Sequence, residues 1–63
     1  MSDSLEVIRD ALNDFQEIQQ YMQLAKEENA IKTYSKLKEK YLFLKALLHT
    51  AGVNLSEIDF IKE

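Results

Sequence analysis

The chain has no cysteine and no proline, and glycine and histidine occur once each. Without cysteine there can be no disulfide and no thiolate metal site. One histidine, His49, cannot build a multi-histidine metal centre. With so little turn chemistry, a few long helices are favoured over many short strands. No apolar run approaches the roughly 20 residues that span a bilayer. Met1 to Glu6 are polar and acidic rather than basic and then apolar, so no signal peptide is visible. A soluble, cytoplasmic protein without cofactor or metal is the expectation.

What is present is ordinary globular material. Hydrophobic residues make up 46% and charged residues 30% of the chain, which argues against disorder. Its 63 residues allow one domain at most. A core this small typically yields only about 3–5 kcal/mol, so small folds usually need a staple or a partner.

Two heptad-spaced runs dominate the pattern. The first is Leu5, Ile8, Leu12, Phe15, Gln19 and Met22; the second is Ala30, Tyr34, Leu37, Tyr41, Leu44, Leu48 and Ala51. Such spacing keeps a seam on one side of a helix, turn after turn. Ala11, Ile18 and Ala25 add a second row to the first run, giving a stripe as wide as that of a bundle helix. Gln19 interrupts the first seam; it either fixes register, as one buried polar residue can, or lies near a solvent-exposed end.

Helix 1 is expected over about residues 4–26, capped by Ser2, Asp3 or Ser4, with Asp3 placing Glu6 three residues on. The polar tetrad Lys26-Glu27-Glu28-Asn29 breaks the register. Either the chain turns back there, with Asn29 capping helix 2, or one helix continues through an inserted half-heptad. Burying two apolar faces within one short chain favours the turn, at about residues 26–29. Helix 2 is expected over about 30–51. Gly52 suits the left-handed position that closes it, with Val53 packing back on Leu48. Ser56-Glu57-Ile58-Asp59 then reads as a cap opening a short third helix, about 55–62.

The upper half of helix 2, Tyr41 to Leu48, is apolar almost all round. One partner helix cannot cover Leu42, Phe43 and Leu47 together, so the C-terminal segment is expected to return to the open end of the hairpin. Charge is divided as well: residues 1–29 carry net −5, residues 30–52 net +4 and residues 53–63 net −2. Opposite charges on paired helices decide which helix meets which more than they stabilise the pair. The fold class is therefore all-α: an antiparallel helical hairpin with a short third helix, assembling as a bundle-like dimer.

Lys32, Lys36 and Lys40 form one row at i, i+4, i+8. An acidic chain with no arginine beside that row argues for a solvated face rather than a phosphate-binding one. Leu47 to Ile58 resembles the middle of a helix-turn-helix unit: Gly52 at the turn, Val53 after it, Asn54 as cap and Ile58 further on. The resemblance covers about 12 residues and implies a DNA-reading helix. Leu48, however, stands where that family usually has alanine, and Glu57, Asp59 and Glu63 oppose one Lys62 on that helix. Ala30-Ile31, Tyr34 and Leu37 resemble part of a tetratricopeptide helix, but no period of about 34 residues recurs.

Nothing points to catalysis. Serine, histidine and aspartate are scattered, and no acid stands three residues before His49. Glu27-Glu28 falls in the expected turn with no pocket around it. The chain reads as a non-enzyme with no small-molecule substrate and no membrane contact. Its expected role is that of a small protein–protein interaction module: a regulator, inhibitor or adaptor binding itself or another protein's helical surface. Tyr41, Leu42, Phe43 and Leu47 are the expected binding residues, with Phe60 and Ile61 beside them. The alternatives are a nucleic-acid-associated regulator and a structural bundle subunit of a larger assembly.

Overall fold

The structure, a computed structural model, describes residues 3–63. Among these residues the secondary structure consists of α1 (Asp3–Glu27) and α2 (Ile31–Thr50), with no strand. The helices pack on each other as a hairpin. No helix among the described residues is long and apolar enough to cross a membrane. The cap expected at Ser2 or the Asp3 side chain lies outside the described residues, and Ser4 is already inside α1.

The reversal needs no glycine because Asn29 adopts the left-handed conformation, with φ 58°. Asparagine visits that region more readily than other non-glycine residues. The Ala30 N–H donates to the Ala25 carbonyl at 2.8 Å and the Asn29 N–H to the Lys26 carbonyl at 3.1 Å. This pair of bonds is a Schellman closure of α1. The expectation that Asn29 caps helix 2 is overturned, since it ends α1 instead. The N-cap of α2 is Ala30, which has no side chain to offer and sits in an inverse γ-turn geometry (φ −85°, ψ 77°). The same closure recurs after α2. Gly52, with φ 85°, and Val53 donate to the carbonyls of His49 and Leu48, each at 3.0 Å. Val53 is partly buried against the core that contains Leu48, as the sequence implies.

The core comprises Ala11, Phe15, Ile18 and Met22 from α1 and Tyr41, Leu44 and Leu48 from α2. The Phe15 and Tyr41 rings stack at its centre, 5.4 Å apart and 13° from parallel. On α1 both apolar rows are used between Ala11 and Ala25, whereas Leu5, at the start of the first seam, is 78% exposed. Covering one large apolar side chain is worth about 1.5–3 kcal/mol. Val53, Leu55, Ile58 and Ile61 add to the core from the tail, residues 53–63.

The tail is not a third helix. Its only regular feature is one turn, in which the Leu55 carbonyl accepts from Ile58 and Asp59 N–H at 3.2 and 2.9 Å. A helix would next need the N–H groups of Phe60, Ile61 and Lys62. Gln19 captures the first two and the Asp59 carboxylate the third. Lys62 then turns left-handed, with φ 57°. Ser56 does not cap a helix; its N–H and hydroxyl both donate to Asn54 Oδ1, at 3.0 and 2.8 Å. With no second helix after Gly52, the helix-turn-helix resemblance ends at the turn.

Candidate functional site

The most organised polar chemistry lies where the tail crosses the hairpin. Gln19 projects from the middle of α1 and is fully buried. Its Nε2 donates to the Ile58 carbonyl at 2.9 Å and, within its own helix, to the Phe15 carbonyl at 3.3 Å. Its Oε1 accepts from Phe60 N–H at 2.8 Å and Ile61 N–H at 3.0 Å. One side chain thus satisfies three main-chain groups of the tail, and both donors and both acceptor positions of the amide are in use.

A second group of contacts comes from α2. Asp59 turns inward and is 6% exposed. Tyr41 donates its hydroxyl proton to Asp59 Oδ1 at 2.7 Å, and Lys45 Nζ approaches Oδ2 at 2.9 Å. The Tyr41 oxygen in turn accepts from Glu63 N–H at 3.1 Å. About two helical turns nearer the interhelical reversal, Glu63 meets Lys38 Nζ at 2.9 Å and the Tyr34 hydroxyl at 3.0 Å. Lys45 also donates to the Glu63 main-chain oxygen at 3.2 Å. The tail therefore starts at the open end, as expected, but runs on past the middle of the hairpin to Tyr34.

These contacts perturb titration. Burial opposes ionisation of Asp59, but the Lys45 ammonium, the Lys62 N–H and the Tyr41 hydroxyl outweigh it and hold the carboxyl below its ordinary range. Lys38, then Tyr34, lower Glu63 in the same way. Burial first, and then Asp59, raise the Tyr41 phenol, and Asp59 raises Lys45.

The expected binding residues separate into two groups. Tyr41 is fully buried beneath the tail, with its hydroxyl committed to Asp59 and Glu63, and does not belong to the exposed face of α2. Leu47 and Ile61 are partly buried against the core. Leu42, Phe43 and Phe60 remain exposed, Phe43 the most at 65%. The sequence reading missed Asp59 and left Gln19 open. The available signals were a polar residue in an apolar seam and an acid set between Ile58 and Phe60.

No group of three or more histidine or acidic side chains among the described residues could hold a metal ion. No buried side-chain nitrogen or oxygen among them lacks a hydrogen-bond partner. The polar cluster is thus spent on holding the tail. Compared with known protein families, curated proteins and solved structures, the chain matches none.

Proposed function

We propose that this chain is a small helical protein–protein interaction module, a regulator, inhibitor or adaptor that docks the outer face of α2 on a helical surface of its partner. The observation that carries the reading is the exposure of Leu42 and Phe43, 45% and 65%, on a helix whose inward side is already filled by Tyr41, Leu44 and Leu48. The fold gains little from these two side chains where they stand, and large apolar side chains exposed side by side mark interaction surfaces. A second copy of the chain is the first partner to test, as a bundle-like dimer.

Solution mass by light scattering across a range of concentrations is the experiment. Mass should rise toward the dimer in the wild type. Phe43→Ser should lower association by about tenfold or more, as loss of an interface anchor does, with helicity retained in circular dichroism. A wild type that stays monomeric at every concentration removes self-association. A Phe43→Ser variant that unfolds places the residue in the core.

A further inference from the structure

We propose that the groove between α1 and α2 is a binding groove for a non-helical acidic segment of a partner protein, with the tail, residues 53–63, occupying it as an intramolecular pseudo-ligand. This surface is separate from the outer face of α2, so the proposal stands or falls independently of that face.

Three features give the groove the character of a reader. First, Gln19 recognises main chain rather than side chains: one tail carbonyl and two successive tail N–H groups. Any segment that takes up the turned, non-helical backbone of residues 58–61 can offer those groups. Second, Lys45 with Tyr41 and Lys38 with Tyr34 form two carboxylate sites, filled by Asp59 and Glu63 at positions i and i+4. Third, Ile58 and Ile61 pack on the core while Phe60 is exposed. The groove thus selects an apolar residue, an acid, a free position, an apolar residue, a free position and a second acid. The positive charge of α2 supplies the complementarity that such a partner needs.

The tail is also built to leave. Only the turn at Leu55 ties tail main chain to tail main chain; apart from local bonds to the Asn54 and Asp59 side chains, its other bonds beyond Val53 go to helix side chains. Its departure breaks no helical hydrogen bond of α1 or α2. The polar groups it uncovers, the Gln19 amide, two phenols and two ammoniums, are ones that water can satisfy, and the apolar surface it uncovers, now under Val53, Leu55, Ile58 and Ile61, is what an apolar residue of a partner would cover in their place. Such a segment opens at lower cost than the hairpin itself. A partner competes against an effective tail concentration on the order of millimolar, which weakens its apparent affinity by the fraction of open groove.

The test crosses two full-length variants with two labelled peptides. Asp59→Lys places a lysine of the tail against Lys45 and opens the groove; Lys45→Asp opens it by placing an acid against Asp59. One peptide has the sequence of residues 53–63, and the other is the same peptide carrying Asp59→Lys. The wild-type peptide should bind the Asp59→Lys protein, and the altered peptide the Lys45→Asp protein. Each should bind about tenfold or more tighter than the mismatched combination, and tighter than either peptide binds the wild-type protein. Helicity is read on the same samples. Absence of binding in the matched pairs overturns the proposal, as does equal binding in matched and mismatched pairs. Loss of the helices in both variants overturns it as well, because the groove would then not exist without its tail.

Discussion

A primary amide at the centre of a hydrophobic interface is destabilising unless each of its polar atoms is bonded. Gln19 meets that condition only with the tail in place, so its contribution depends on residues 39 to 42 positions away. Gln19→Leu keeps the volume and the apolar seam but leaves Ile58 C=O and the N–H groups of Phe60 and Ile61 without partners. Chemical denaturation should show a loss of about 2–4 kcal/mol. An unchanged midpoint would mean that water replaces the amide. Asp59 acts on the pH axis. Its carboxyl is held below the 3.8 of the unfolded chain, so the unfolded state binds the proton first as pH falls. The stability it contributes is complete above that value and is lost as pH drops through the lower folded value. Between pH of about 5 and 2 the denaturation midpoint should therefore fall more steeply for the wild type than for Asp59→Asn. Parallel profiles would remove Asp59 from the acid response. Lys45, raised by Asp59, has the opposite sign: its contribution is full below about 10.5 and declines above it.

At the scale of elements, two helix ends use one device with different residues. Asn29 and Gly52 both take left-handed backbone to close a helix. A Cβ at Gly52 would meet nothing within 4 Å, so Gly52→Ala tests backbone conformation alone. It should cost about 1–2 kcal/mol, while Asn29→Gly should gain a few tenths, both read from thermal or urea unfolding. A neutral Gly52→Ala would show that the chain past α2 closes in another way. The helices, the place of the reversal and the Gly52 stop were all legible, because periodicity and end chemistry are local. The third helix was not. Ser56 to Asp59 carry local helix-starting signals, and the turn at Leu55 forms. What stops it is capture of the next N–H groups by Gln19, a contact that no sequence window contains. The polar partner of Tyr41 was hidden for a related reason. The seam position of Tyr41 was legible, but the carboxylate that draws its hydroxyl into the interior comes from the tail.

The whole molecule measures 42 × 21 × 14 Å, a thin slab only two helices wide. Few residues are far from water in such a shape, and the core rests on a handful of side chains. Leu44→Asp, which puts a carboxylate into the apolar core cluster, should therefore abolish the helical signal in circular dichroism. A folded variant would sink the assignment of Leu44 to the core. The glutamine bridge also has a consequence in time. Hairpin contacts between α1 and α2 close a short reversal, whereas the bridge joins positions about forty residues apart, so docking of the tail is expected to follow formation of the hairpin. The amide protons of Phe60 and Ile61 are held by a side chain rather than by a helical ladder. In hydrogen exchange they should be replaced sooner than those of Leu44 and Leu48, although all four are hydrogen-bonded or buried. A chain of 63 residues would then carry two opening free energies, and a single melting temperature would report only the larger.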